Sequence, residues 1–460
     1  MSPPRTAHVV VDLGFGDAGK GTLTDWLVRR HGAGLVVRFN GGAQAGHNVV
    51  TDDGRHHTFS QFGAGGFVAG VRTHLARTTV LHPLALRVEA DHLAARGVPD
   101  AFERLTVSEH ARVITPFHQA VGRLRELARG TGRHGTCGVG VGETVRDALA
   151  APVDTVVAGD LARTAVLIRK ARAAQERLRA DVAALRPALQ GQRLAEPELW
   201  LLDDPTVVTR WVEAVRALEA GRLVVDDAWL GQQLRAGPTV FEGAQGVLLD
   251  EWRGFHPHTT WSTCTFAPAL ALLREHGFDG EVRRLGVLRT YATRHGEGPL
   301  PTEDSALAPH VPEPHNDAGG WQGSFRVGHF DAVLARYALE VCDGVDALAL
   351  THLDRLTSRW PVSGAYLTTL AAKEDEALVH RAQDSEHVTG LKVGPPGDLD
   401  WQQRLTALLS RCAPSRQELP LGETPVDRTD TFVAWVEAAL RVRVAVTSHG
   451  PSARDKRGRG

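Results

Sequence analysis

Several things are scarce in this sequence. Lysine occurs only at positions 20, 170, 373, 392 and 456, although lysine and arginine together number 52. The plain reading of that bias is codon usage, but it singles out Lys20, alone in a glycine-rich stretch. Only four cysteines are present, Cys137, Cys264, Cys342 and Cys412, with no CxxC pair. That spacing argues against a disulfide framework or a zinc site. Neither sign of charge dominates: 54 acidic residues leave a net charge of −2. A nucleic-acid partner usually requires a basic domain, so none is expected. No run of 18 apolar residues exists to span a membrane, and the amino terminus has no signal-peptide pattern. The expected compartment is the cytoplasm.

What remains is ordinary globular composition, 42% hydrophobic and 23% charged over 460 residues. That length is enough for a large core. A prior of about 150 residues per domain suggests about three domains.

The first clear unit is His8–Leu13, a β-branched run, followed by a glycine loop to Gly21 and a helical pattern over Thr22–Arg30. Gly34–Phe39 reads as a second strand. Further strands are expected at Thr239–Phe241, Leu285–Tyr291, Ala347–Thr351 and Arg441–Thr447, and a long amphipathic helix over 160–186. Strands alternating with helices predict an α/β fold with a largely parallel central sheet flanked by helices. In such sheets ligands sit at the carboxyl ends of strands. Residues 303–325 and 376–428 read as irregular, and the basic tail 452–460 as a disordered end.

Four clusters carry chemistry. Gly14-Phe-Gly-Asp-Ala-Gly-Lys20-Gly21 fits GxxxxGK at a strand–helix junction. There the backbone N–H groups around Gly16, Gly19, Lys20 and Gly21 can cradle phosphate, with Lys20 adding a point charge. The hydroxyl that a standard P-loop directs at Mg²⁺ is absent, because Gly21 follows the lysine. An acid, Asp17, lies inside the loop; it would repel phosphate unless it binds a metal or takes up a proton. The second cluster is Asn40-Gly-Gly-Ala-Gln44-Ala45-Gly46-His47-Asn48, where glycines permit close approach and His47 offers an acid or base. The third is Phe241-Glu-Gly-Ala-Gln245-Gly. The fourth is Thr351-His-Leu-Asp354, whose acid can accept two hydrogen bonds from guanine.

Together these residues resemble the adenylosuccinate synthetase family. The family's WGDEGKG is similar to Phe15–Gly21, its GGHNAGHT to Gly41–Asn48, and its FEGAQG stands intact at 241–246. Its YSTRVGAGPFPTE is similar to Tyr291-Ala-Thr-Arg-His295-Gly-Glu-Gly-Pro-Leu-Pro-Thr-Glu303, its TKLD to Thr351–Asp354, and its STGP to Ser448–Pro451. The resemblance runs through most of the chain, so one α/β domain over 1–451 is expected, with a helical insertion at about 155–235. It implies the family's P-loop-like nucleotide-binding fold and a GTP-dependent ligase that phosphorylates O6 of an IMP-like purine nucleotide and displaces it with an amine.

The resemblance also implies roles. Asp17 matches the catalytic base and a Mg²⁺ ligand, with the Gly46 carbonyl as another. His47 matches the general acid at the transferred phosphoryl group. Gln44, Ala45, Gln245 and Thr260 match positions that hold the purine substrate, with Gln245 also beside the chemistry. Asp354 would read guanine, Ser448, His449 and Gly450 would line the base pocket, and Arg326 would contact GTP. A homodimer is implied.

The departures lie on the substrate side. In the family's GTTGRG, whose second threonine holds the IMP phosphate, Cys137 replaces that threonine. Ala151 stands where an arginine reaches the partner subunit's substrate, and Arg146 is the nearest cation. The arginine-rich aspartate loop reads Gly320-Trp-Gln-Gly-Ser324-Phe-Arg326, keeping only its last arginine. His352 replaces a lysine beside the guanine. A rebuilt acceptor and donor site is therefore expected. The alternatives are an ordinary housekeeping enzyme joining IMP and aspartate, and a non-catalytic GTP-binding regulatory protein.

Overall fold

A computed structural model describes residues 5–132, 135–313, 316, 321, 323–367, 373–382 and 386–459. Among these, a ten-stranded sheet forms the body of the molecule. Its lateral order is Lys456–Gly458, Val444–Ser448, Ala347–Thr351, Glu281–Arg289, Thr6–Asp12, Thr239–Glu242, Leu35–Arg38, Arg72–Leu75, Leu105–Ser108 and Val224–Val225. Every pairing is parallel except that of the terminal strand Lys456–Gly458. All seven residues of Thr6–Asp12 are buried. A strand covered on both faces needs no polar alternation, which is why it reads as a continuous apolar run.

The topology places the site. Six adjacent strands end, in lateral order, at Ser448, Thr351, Arg289, Asp12, Glu242 and Arg38. Register aligns them, with Val10 opposite Glu242 and Glu242 opposite Arg38. Each of the four sequence clusters leaves the sheet at this one carboxyl edge. The helix Lys20–His31 starts there and ends at Gly32, in the left-handed conformation.

Elsewhere the structure corrects several expectations. The stretch 285–291 is not one strand: Glu281–Arg289 belongs to the main sheet and Tyr291–His295 to a second, six-stranded one. The stretch 376–428 is not irregular. It holds strands Val379–Arg381, His387–Leu391 and Ala413–Pro420 of that second sheet, and helices Leu399–Leu409 and Pro425–Leu440. Its charged residues lie on exposed faces, which hid the apolar contacts of Leu405, Leu408 and Leu409 from a composition reading. The last strand of the motif series begins at Val444, because Arg441 takes a positive φ of 56° and closes the preceding helix. The long helix spans Thr164–Asp181 and gives way to a short 3-10 turn. Around it, Glu196–Asp203, Thr206–Ala217 and Asp227–Ala236 are also helical.

The tail is not frayed. Lys456–Gly458 pairs antiparallel with Val444–Ser448, and only Gly460 of the tail lies outside the described residues. Lys456 is buried and donates to the carbonyls of Gly450 and Ser452, at 2.9 and 2.8 Å, and to the Thr22 hydroxyl. Burial brings its ammonium down to about 8, against the pull of Asp455 and Asp25. The folded state therefore holds fewer protons than the unfolded state between about pH 8 and 10.5, and stability rises with pH across that window. Relative to Lys456→Met, the wild-type protein should gain about 3 kcal/mol across it, read by urea unfolding at stepped pH. Parallel slopes would refute the burial effect.

Candidate functional site

The phosphate-type loop is held from beneath by an acid at the end of the first strand. Asp12 Oδ1 accepts from Gly14 N at 2.8 Å, and Oδ2 accepts from Ala18 N at 2.8 Å and Lys20 Nζ at 2.9 Å. Lys20 is only 4% exposed, so the cation expected to face phosphate is paired with a buried carboxylate. Gly19 caps the helix in a left-handed conformation, and Gly16 also has positive φ. The reason for Gly21 is contact: a Cβ there would lie 2.7 Å from His47 Cβ. The missing hydroxyl thus allows the second cluster to dock on the first.

Gly246 joins the third cluster to the same place. A Cβ on it would stand 2.2 Å from the Gly14 carbonyl oxygen, so only glycine fits. Asn40 locks the second cluster to the third: its Oδ1 accepts from Ala244 N at 2.7 Å and its Nδ2 donates to Ala244 O at 3.1 Å. Gln245 takes a positive φ of 58° and packs its side-chain amide against Gly41. The side-chain oxygens of Gln44 and Gln245 are both buried with no hydrogen-bond partner. Such orphaned acceptors carry a desolvation cost that a ligand's N–H or O–H groups would remove. Ala45, beside Gln44 in the chain, is buried.

His47 is buried and its Nδ1 lies 2.7 Å from Glu242 Oε1. Glu242 Oε2 accepts from Ala64 N at 3.0 Å. Burial, with Arg38 nearby, lowers the His47 imidazole, while Glu242 works against that shift. Burial opposes ionisation of Glu242, but His47 and Arg38 outweigh it and hold the carboxyl below its usual range. The ionised carboxylate fixes the ring with Nδ1–H inward and Nε2 available to a ligand. Sequence reasoning missed Glu242, although it stands inside the quoted motif; a buried acid ending a strand was the available signal.

Asp17 sits in the left-handed region with φ of 61°. Its carboxylate is 34% exposed, and Oδ2 lies 3.1 Å from His295 Nε2. Burial works against ionisation, but the His295 hydrogen bond and the charges of His295, Lys20 and Arg289 outweigh it and lower the carboxyl. The Asp17 carbonyl accepts from Arg289 Nη1 at 3.1 Å. This answers the puzzle of an acid in a phosphate loop: its charge is balanced within the protein. Among the described residues no three His, Cys, Asp or Glu side chains converge on a metal site. A cation here would draw on the Asp17 carboxylate, main-chain oxygen such as that of Gly46, and phosphate oxygens. That all-oxygen, phosphate-rich set suits Mg²⁺, which is seldom caged by protein alone.

At the other end, Asp354 follows Ala347–Thr351 on a single 3-10 turn, with Arg355 Nε 3.3 Å from its Oδ2. Thr351 Oγ1 donates to the Ala18 carbonyl at 2.8 Å, tying this turn to the phosphate-type loop. His352 is kept neutral, first by burial and then by Arg289 and Arg355. Ser448 ends its strand, and its hydroxyl donates to the Gly450 carbonyl at 3.3 Å. His449 N donates to the Asp455 carbonyl, so the tail shapes this pocket.

On the substrate side, Cys137 is half-buried and unbridged, and burial raises its thiol above the usual range. Val141, at the start of the helix that follows, packs on Gly42. Trp261, next to Thr260, lies against Gly142, and Trp321 lies against Gly138. These contacts bring together the segments that carry Gln44, Cys137 and Thr260. Arg146 is engaged by Glu143 and Asp181. In the 320–326 loop, Gly320 and Gln322 fall outside the described residues. Ser324 is exposed, and Phe325 meets the His295 ring edge-on at 4.8 Å. Arg326 is spent on the carbonyls of Gly296 and Gly298, at 3.0 and 2.8 Å, and on Glu303 at 2.8 Å. These bonds use three of its five N–H groups and fix the guanidinium, leaving one N–H on each Nη for a further acceptor.

Comparison with known proteins gives a consistent picture. The family model described as adenylosuccinate synthetase matches residues 9–456. A curated adenylosuccinate synthetase of Anaeromyxobacter dehalogenans (strain 2CP-1 / ATCC BAA-258) is 35% identical over 448 residues, which is 96% of this chain and 95% of the relative. One of Nitrosomonas europaea is 32% identical, covering 92% of this chain and 98% of the relative. Among solved structures, a fully ligated adenylosuccinate synthetase of Plasmodium falciparum has a TM-score of 0.76 at 18% identity, covering 98% of this chain and 99% of that one. The succinoaminodeoxyadenylate synthetase of cyanophage S-2L has a TM-score of 0.58 at 18% identity, covering 98% and 95%.

Proposed function

The chain belongs to the adenylosuccinate synthetase family of GTP-dependent carbon–nitrogen ligases, and from that premise we propose that it aminates a 6-oxopurine nucleotide with a donor other than free aspartate. The family uses GTP and Mg²⁺. The observation that carries the proposal is the donor loop. Its described residues are Trp321, Gly323, Ser324, Phe325 and Arg326, and the one cation is already bound to Glu303 and two carbonyls. Dicarboxylate recognition calls for arginine forks. In a chain with so many arginines, their absence from this loop is not a matter of composition.

The residues suit the chemistry. Carbonyl O6 is a poor nucleophile until the purine N1 proton leaves. Asp17, ionised and exposed on one side, accepts that proton. His47, oriented by Glu242, donates toward the phosphoryl group in transfer and stabilises its negative charge. Gln245 and Gln44 offer their unpaired oxygens to substrate donors. Phosphorylation turns O6 into a leaving group, and the amine then attacks C6. Most of the acceleration comes from positioning and charge stabilisation. Asp17 and the Gly46 carbonyl would hold Mg²⁺, which would supply charge neutralisation at the phosphates. Asp354, Ser448, His449 and Gly450 bind guanine. We also propose a cytoplasmic homodimer. No described helix is long and apolar enough to cross a membrane. Other purines suit this fold: the cyanophage protein is described as bound to dGMP, with dATP as energy donor.

The test is purified protein with GTP, Mg²⁺ and IMP, the amine varied and phosphate release recorded. Aspartate is expected to be at least about tenfold slower than the best amine. Aspartate as the fastest donor would establish the second reading, an ordinary enzyme joining IMP and aspartate, which the 35% identity to curated synthetases favours. GTP binding with no GDP release from any pair would leave a binding protein.

A further inference from the structure

A hydrogen-bonded circuit begins and ends at Asp17. Its Oδ2 accepts from His295 Nε2 at 3.1 Å. The same N–H is shared with Asn316 Oδ1 at 3.2 Å. Asn316 Nδ2 donates to Glu313 Oε2 at 3.2 Å. Glu313 Oε1 accepts from Arg289 Nη2 and, at 2.5 Å, from the Tyr291 hydroxyl. Arg289 Nη1 returns to the Asp17 carbonyl at 3.1 Å. The donor and acceptor roles are mutually consistent. An ionised carboxylate only accepts, so Glu313 fixes which end of Asn316 faces it, and that leaves the amide oxygen for His295.

The circuit joins two parts of the chain. Asp17 lies on the phosphate-type loop, and Glu313 and Asn316 lie on the long segment 303–325. The linker is His295, which stands where the family motif YSTRVGAGPFPTE has valine and so has no ring nitrogen to offer. Phe325 of the rebuilt donor loop packs edge-on against the same ring. Asp17 needs such support: a non-glycine residue at φ of 61° keeps that backbone only when its surroundings hold it.

We propose that His295, supported by Asn316 and Glu313, is a positioning residue for Asp17 and holds the aim of its carboxylate. This rests on the reading of Asp17 as the base. The valine of the family motif cannot arrange such support, having no side-chain donor.

Two measurements on the full-length protein test it. The first is steady-state phosphate release with whichever IMP–amine pair is fastest in the screen above. His295→Val should lower kcat about 10- to 100-fold with the KM for GTP within about threefold, and His295→Gln, which restores a side-chain N–H donor, should recover most of the loss. Asn316→Ala should lower kcat as well, and the double variant His295→Val/Asn316→Ala should be no worse than His295→Val. His295→Val within twofold of wild type, His295→Gln no better than His295→Val, or additive losses would overturn the proposal. The second measurement needs no substrate. In ¹⁵N-histidine-labelled protein, the His295 Nε2–H signal, assigned by its loss in His295→Gln, should shift in both Asp17→Asn and Asn316→Ala. A signal unmoved by both would overturn the circuit. If no pair turns over, the proposed function fails and the spectra alone decide this inference.

Discussion

Asp17→Asn should lower GTP-dependent turnover by about a thousandfold, equivalent to about 4 kcal/mol of barrier. Asparagine has the same shape and can still meet His295, so the loop should keep its form. What it lacks is a lone pair basic enough to remove a purine proton. The wild-type carboxyl is held below the ordinary range because His295, Lys20 and Arg289 outweigh the cost of burial. The base is therefore already ionised throughout the neutral range. As pH falls, kcat/KM should hold until the medium is more acidic than an ordinary aspartate would tolerate, and only then decline. GDP binding by the variant, measured calorimetrically, should stay within a few-fold of wild type. A variant that turns over normally would remove Asp17 as the base; one that neither binds nor turns over would make it a structural or nucleotide-binding residue instead.

The second large effect is expected at Glu242. Its carboxylate is buried, fixes the His47 ring at 2.7 Å and also accepts from Ala64 N. Glu242→Gln preserves size but removes the charge that favours protonation of a buried imidazole. Burial and Arg38 already lower His47, so losing Glu242 deepens that shift. The imidazolium proposed to assist phosphoryl transfer becomes rarer, and kcat should fall about 100-fold with substrate affinity nearly unchanged. The activity maximum should also move toward lower pH, because a His47 that binds its proton less tightly is charged only in more acidic solution. Glu242→Leu should unfold more readily, since it orphans both the buried Nδ1–H and the Ala64 N–H. An unshifted pH profile in Glu242→Gln would show that Glu242 serves the fold alone.

The glycine clusters could be read from the chain because each has a local cause. A tight turn, a helix start and a close backbone approach all demand residues of a particular size at fixed spacing. The clusters at 14–21, 40–48, 241–246, 351–354 and 448–451 do meet at one edge of the sheet. What surrounds them was not legible. Arg289 is 272 residues from the Asp17 carbonyl it serves, Glu242 and His295 lie unremarked inside quoted motifs, and Asp12, eight residues before Lys20, reads as one more strand-end acid. Nothing local distinguishes a buried charged residue from a solvated one until the partner strand is known. The region 376–428 shows the opposite error: its surface charge suggested irregular chain, yet one face of each element is apolar.

By itself, the sequence determined the parallel α/β architecture, the phosphate-type loop with its unusual acid, and the scarcity of arginine in the 320–326 loop. All three depend on residue type and spacing, which folding does not change. Only the tertiary structure decided what those residues are free to do. It engaged Lys20 with Asp12, spent Arg326 on Glu303 and two carbonyls, and made the basic tail a sheet edge that braces residues 448–452. A charged side chain's chemistry depends on which partner reaches it first, and that is fixed by distances through space that no spacing along the chain contains.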